Sequence, residues 1–342
     1  MKNVYRWLPL FLFLLISPEL LQGGPLYQGV MNIDGKTVYI AVHGDDERKP
    51  AMVCLPFGPG SSSRYLEESL PPLFDKVLRL VFIDYYYSGR SVPSGRPLIY
   101  DRQPVEGISP ADQADLILSL MTTLGMEKFG ILGHDFGAFV GARLLRKAPR
   151  RILFFAGVSP RLDYPGELSF LTEKLYETFE RSADENSVSG LKALEQKTRL
   201  LSLRGVKRLS PEEAETLFSL LGRVPELYFY QPVDKKTQKT VRKLLRTGTF
   251  LPLHSAKDML PYLYSSSYYN SDETIPGETS SIPVLLLQGE RDPWFKSSGD
   301  EMEKGSACET IPHSAFFPML ENPGAFKAAL LDFLRLHHII DR

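Results

Sequence analysis

The stretch Ile131-Leu132-Gly133-His134-Asp135-Phe136-Gly137-Ala138 limits what this chain can fold into more than any other segment. Residues 129–132 form a short apolar run that reads as a buried strand. Residues 139–147 carry apolar side chains at helical spacing and stop near Pro149. A strand running straight into a helix must turn sharply. The middle residue of such a turn is strained, and Gly133 and Gly137 leave room where side chains would collide. The frame is Gly-x-nucleophile-x-Gly, with Asp135 where a serine usually stands. That exchange alters the chemistry. A serine makes an acyl-enzyme, whereas an aspartate attacks a saturated carbon and leaves an alkyl ester for water to hydrolyse. At the start of the helix the Phe136 N–H is directed at a developing oxyanion. The plain alternative is an ordinary strand-to-helix loop with an N-capping aspartate.

Further residues extend the pattern in the order nucleophile, acid, histidine. The apolar run 282–287 ends in Gln288-Gly289-Glu290-Arg291-Asp292-Pro293, which sets Asp292 beyond a strand's C-terminal edge. Cys308-Glu309-Thr310-Ile311 reads as a short strand leading to His313, and an apolar helix follows over 325–336. In this reading His313 takes a proton from water while Asp292 orients the imidazole and stabilises its cation. Taken singly, Asp292 is a turn former and His313 a structural histidine. A fourth piece is the apolar strand 51–55, which enters a Gly/Pro turn at Pro56-Phe57-Gly58-Pro59-Gly60. Gly58 is the candidate for the second oxyanion N–H, against the simple-turn reading.

These residues resemble the α/β-hydrolase superfamily over almost all of the chain after residue 25. The core is most similar to the prolyl iminopeptidase-like branch. Gly58-Pro59-Gly60 resembles the end of that branch's His-Gly-Gly-Pro-Gly loop, and Asp84 to Ser91 resembles its Asp-Gln-Arg-Gly-Ser-Gly-Arg-Ser segment. Pro56-Phe57 replaces the usual His-Gly, and Tyr85, Tyr86 and Tyr87 replace Gln-Arg-Gly. The elbow itself resembles the Gly-His-Asp-x-Gly of epoxide hydrolases and dehalogenases.

Alternating strands and helices predict an α/β-hydrolase fold with a mostly parallel, doubly wound, eight-stranded sheet. A hairpin is expected around Asp34-Gly35, with strands at 51–55, 80–84, 129–132, 152–158, 284–288 and 308–311. Helices are expected near 66–76, 111–124 and 138–148. The character changes between Pro160 and Ser281. Leu168, Leu171, Leu175 and Phe179 recur at helical spacing, Ser210-Pro211-Glu212-Glu213 reads as a capped helix start, and 235–246 is a basic amphipathic stretch read as a solvated face. The expected organisation is a core at 25–160 and 282–342 with a helical lid at 161–281, preceded by a leader at 1–24. In the leader, Lys2 and Arg6 precede the apolar run Trp7 to Ile16, which reads as an export signal or an uncleaved anchor. Localisation is therefore expected to be exported or membrane-anchored.

Net charge is −1 and no basic stripe stands out, so nothing points to nucleic acid. The 2 cysteines, Cys54 and Cys308, fall on strands that are not neighbours in this fold, so no disulfide is expected between them. The 6 histidines show no metal-ligand spacing, and neither metal nor organic cofactor is expected.

Opening an epoxide requires an acid for the departing alkoxide. Tyr262 and Tyr264 lie where epoxide hydrolases carry one lid tyrosine, and Tyr176 is the candidate for another. Dehalogenases usually place a tryptophan after the nucleophile, where this chain has Phe136; the tryptophan outside the leader is Trp294. The expectation is a hydrolase acting on a small apolar substrate through an Asp135 ester. The alternatives are a prolyl iminopeptidase-like peptidase or esterase relative, and a binding protein on the same fold without catalysis.

Overall fold

The computed structural model describes residues 25–58, 60–91, 109–160, 164–182, 185–203, 210, 213, 216, 217, 220, 225–230, 281–293 and 307–341. The leader, the basic stretch 235–246, Tyr262, Tyr264 and Trp294 lie outside these residues.

The strands are β1 (Tyr27–Ile33), β2 (Lys36–His43), β3 (Ala51–Leu55), β4 (Arg79–Ile83), β5 (Phe129–His134), β6 (Ile152–Val158), β7 (Val284–Gly289) and β8 (Ala307–Ile311). They form one sheet in the order β1-β2-β4-β3-β5-β6-β7-β8. β1 with β2 and β2 with β4 are antiparallel, and every other pairing is parallel. The turn between β1 and β2 uses Asp34 and Gly35 at φ of 49° and 78°, as a two-residue hairpin turn requires. β3 and β5 are buried along their whole length, which is why they read as unbroken apolar runs.

The helices are α1 (Arg64–Ser69), α2 (Pro71–Phe74), α3 (Pro110–Thr123), α4 (Phe136–Lys147), α5 (Tyr164–Arg181), α6 (Glu185–Leu203), α7 (Pro318–Glu321) and α8 (Pro323–Leu336). The single helix expected at 66–76 is two helices, α1 and α2. Pro71 has no N–H to return to the Glu67 carbonyl and its ring would strike it, so the chain restarts with Pro71 as a first helical residue. α3 opens with a capping box in which Ser109 and Asp112 satisfy each other's backbone N–H groups. Ser210 and Glu213 exchange the same pair of bonds, at 3.3 and 2.7 Å.

Between β6 and β7 the chain passes through α5 and α6. Leu171, Leu175 and Phe179 of the first and Leu191 and Leu194 of the second are buried. Cys54 is buried in β3 and Cys308 exposed in β8, with β5, β6 and β7 between, and both are free thiols. Among the described residues, no helix is long and apolar enough to cross a membrane.

Candidate active site

β3, β5 and β6 end level with one another, Leu55 against Gly133 and Gly133 against Gly157, and the elbow rises from that edge. Asp135 has φ 53° and ψ −110°, outside the ordinary wells of a non-glycine residue. The strain is held from both sides. Its N–H donates to Val158 O at 2.9 Å, and its carbonyl accepts from Ala138 N at 2.9 Å. Gly133 and Gly137 are obligatory, because a Cβ on either would overlap backbone atoms of Gly137 or Leu55 respectively. Phe136 begins α4, so no helical carbonyl can take its N–H.

Gly58, from the loop after β3, donates its N–H to Asp135 Oδ2 at 3.3 Å. Two of the expected site residues thus meet across 77 positions of chain. The surroundings are aromatic. Tyr85 packs edge-on against Phe136 at 5.3 Å and donates to Pro56 O at 3.2 Å, pinning the Gly58 loop. Burial raises the Tyr65 and Tyr85 phenols well above their ordinary range, and the charge of Asp135 adds to the rise, so both remain protonated donors.

His134 is also fully buried. Its Nδ1 lies 2.7 Å from Tyr65 Oη and its Nε2 lies 2.7 Å from Phe316 O. Tyr65 Oη in turn accepts from Phe57 N at 3.0 Å. A second buried carboxylate, Asp84, organises the motif that runs to Ser91. It accepts from Ser62 and Ser63 and from the backbone and guanidinium of Arg90. Arg90 also pairs with Glu67 at 2.8 Å and lies 3.5 Å over the Tyr39 ring. Burial opposes the guanidinium's charge, yet the Asp84 hydrogen bonds and charge, with Glu67, hold its pKa above the usual value. Tyr87, where the related motif has glycine, takes φ 61°.

Asp292 is buried beyond the end of β7, with its N–H on Gly289 O at 3.2 Å. His313 stands at φ 51° with an exposed side chain, and its N–H donates to Glu290 Oε2 at 3.0 Å. Its Nδ1, the nitrogen a triad turns toward its acid, lies 3.3 Å from Tyr230 Oη instead. Gly58, Asp135 and Phe136 are therefore gathered at one edge, while His313 is engaged with Tyr230. Tyr176 bonds Glu180 at 3.3 Å on the exposed side of α5.

Tyr230 and Glu321 had no signal of their own in the sequence. Glu321 takes Tyr230 N at 2.6 Å and Ala315 N at 2.9 Å, so it ties residues 225–230 to the loop after His313. Burial raises the Glu321 pKa; backbone N–H donors from Tyr230, Ala315 and Phe317 pull it down, and the charge of Asp292 pushes it up. Tyr228 meets Phe316 at 5.4 Å, and Phe229 stacks on Phe317 at 5.6 Å. Arg291 lies 4.7 Å over the Tyr230 ring. The His134 pairing had one clue, its place inside the elbow, but its partners are distant in sequence.

Comparison with known proteins agrees with this fold. Residues 50–323, well over half of the chain, match the family described as alpha/beta hydrolase fold. The "Putative carbamate hydrolase RutD" of Agrobacterium fabrum is 30% identical over 115 residues, 34% of this chain and 40% of that protein. Its namesake from Yersinia enterocolitica is 28% identical and is matched over 37% of its length. The chain thus spans well under half the length of the curated relatives it matches. A proline iminopeptidase-related protein from Thermus thermophilus superposes with a TM-score of 0.63 at 22% identity, over 90% of this chain and 96% of that one. The proline iminopeptidase of Mycobacterium smegmatis does so with a TM-score of 0.59 at 14% identity, over 91% and 98%. Identities this low speak to fold alone. Elbow, sheet order and family match converge: the chain belongs to the α/β-hydrolase fold family.

Proposed function

We propose that this protein is a hydrolase that works through an alkyl ester on Asp135, in the manner of epoxide hydrolases, on a small apolar substrate. One observation carries the reading: the Gly58 N–H already sits on Asp135 Oδ2. In acyl transfer by a serine, the oxyanion donors receive the substrate's own carbonyl oxygen. Here the protein's carboxylate takes a donor from that loop, the arrangement an aspartate nucleophile requires.

The steps follow from that. Oδ1 attacks a substrate carbon, the C–O bond of the epoxide breaks, and the departing alkoxide takes a proton from a lid hydroxyl. His313, oriented by Asp292, removes a proton from water as that water adds to the Asp135 Cγ. Negative charge collects on Oδ2 beneath the Gly58 and Phe136 N–H groups. Collapse breaks the Cγ–Oδ1 bond, the alcohol leaves with the proton from His313, Asp135 retains one oxygen from water, and the proton left on its carboxyl returns to the lid oxygen that gave one up. For this His313 must exchange Tyr230 for Asp292. Residues 161–281 act as the lid over the site, with Tyr262, Tyr264 and, once it leaves Glu180, Tyr176 as proposed acids and Tyr230 added to them. Residues 1–24 direct the protein out of the cytoplasm, as a cleaved signal or a retained anchor.

The test is single turnover in heavy-oxygen water across a panel of epoxides, esters, carbamates and proline arylamides. Label in the peptide containing Asp135 is expected with an epoxide, and His313→Gln should trap the ester. The second reading, attack on a carbonyl as the carbamate hydrolase and iminopeptidase relatives' names suggest, is favoured by those likenesses. It predicts arylamide or carbamate turnover that survives Asp135→Ala. Absence of label with every substrate would leave a core that binds without turning over.

A further inference from the structure

Four residues from three separate stretches of the sequence form one directed hydrogen-bond chain beneath the elbow. Phe316 O, a carbonyl, can only accept, so His134 Nε2 carries the hydrogen on that side. In the neutral ring Nδ1 is then an acceptor, and the Tyr65 hydroxyl donates to it. The Tyr65 oxygen accepts from the Phe57 N–H. Every donor meets an acceptor in one neutral tautomer, as burial of both side chains demands. The chain spans the three loops of the site. Phe57 immediately precedes Gly58, His134 immediately precedes Asp135, and Phe316 lies in the loop that follows His313.

We propose that Tyr65 and His134 are positioning residues: they fix the height of the Gly58 loop over the elbow and thereby favour hydrolysis of the ester over its formation. The proposal rests on the Asp135 reading. Gly58 N lies 3.3 Å from Oδ2, at the long end of a hydrogen bond, so a drift of a few tenths of an ångström removes it. Its two roles differ in sign. In the resting carboxylate the bond stabilises the ground state, so loosening it does not slow the attack of Oδ1. When water adds to Cγ, charge gathers on Oδ2 and the same donor stabilises the transition state.

Tyr65→Phe deletes the acceptor for Phe57 N–H and the donor to His134 while keeping the ring. Rapid-quench mass analysis of the Asp135 peptide should show ester hydrolysis slowed on the order of tenfold, with formation unchanged within about twofold. Ester then accumulates, and kcat and KM fall together. His134→Leu should behave alike. His134→Gln, which keeps an acceptor and a donor, should recover most of the loss, and this pair decides the matter if Tyr65→Phe does not fold. Equal slowing of both steps, or none, overturns the proposal. A readout without turnover separates it from the Asp135 reading: in glycine-labelled protein, Tyr65→Phe should move the Gly58 amide resonance and speed its exchange. An unmoved Gly58 amide overturns the chain's role, whereas wild-type protein that never carries ester sinks the nucleophile and leaves the amide result to judge the positioning.

Discussion

Two aspartates of this molecule are equally hidden from water, and they are held in different ways. Asp84 receives six donors, from Ser62 Oγ, Ser63 N and Oγ, and Arg90 N, Nε and Nη2, at 2.7 to 3.2 Å. Its oxygens are saturated and its countercharge is fixed, so it has nothing left to offer a reactant. Asp135 sits on a strained residue at a strand-to-helix bend, with an oxyanion-loop N–H at 3.3 Å on one oxygen. Burial alone does not distinguish a structural carboxylate from a reactive one. Under the proposed mechanism the difference lies in the oxyanion-loop N–H on Asp135 Oδ2 and in the backbone strain that a protein tolerates only where something holds it.

The comparison breaks most readily on activity. Asp135→Asn should lower turnover by about 10⁴-fold or more while stability stays within about 1 kcal/mol of wild type, measured by urea unfolding beside an assay on the substrate whose turnover labels the Asp135 peptide. Stable turnover in that variant would mean the two aspartates are alike after all. Asp84→Ala should do the reverse. Leaving the largely buried Arg90 with Glu67 as its one carboxylate partner should cost about 3 kcal/mol, visible as a lower melting temperature, while the activity of the folded fraction persists. Asp135→Gly should gain about 1 kcal/mol, because glycine accepts a positive φ that aspartate endures; a loss would show that the bend is relaxed.

A smaller effect lies in the tyrosines beside each aspartate. Burial chiefly lifts Tyr39, near Asp84, to about 12; Arg90 and Gln28 pull it down, and Glu67 adds to the rise. Tyr65 and Tyr85, near Asp135, are lifted well above the ordinary value. A phenol whose folded pKa is raised contributes stability that is whole below about pH 10 and is lost as pH climbs through the folded value. Ultraviolet titration should therefore show Tyr39 ionising in the folded protein near pH 12, with Tyr65 and Tyr85 following only on unfolding. Ionisation of all three together at their ordinary pKa would refute the enclosed aromatic site.

Much of this was legible in the chain itself. Strands β3 to β7 announce themselves because both their faces are covered, which leaves unbroken apolar runs. The elbow announces itself because only glycine survives at Gly133 and Gly137. Pro71 divides the helix expected over 66–76, because a proline can open a helix but not continue one. The Tyr65–His134 pair and the Tyr230 contact to His313 were not readable. Each joins residues 69 and 83 positions apart respectively, through side-chain geometry that no local periodicity encodes. The Asp84 motif was recognisable by resemblance, yet its use of Glu67 and Tyr39 emerges only when α1 lies against β2.

The order of strands carries a consequence for the protein's birth on the ribosome. β3, β4, β5 and β6 are all translated by residue 158, so the bend bearing Asp135 has its neighbours long before Asp292 and His313 emerge. If Asp135 is the nucleophile proposed above, a nascent chain that met its reactant at that stage would be alkylated with no means of release. Synthesis in a compartment free of that reactant would spare each molecule such a suicide.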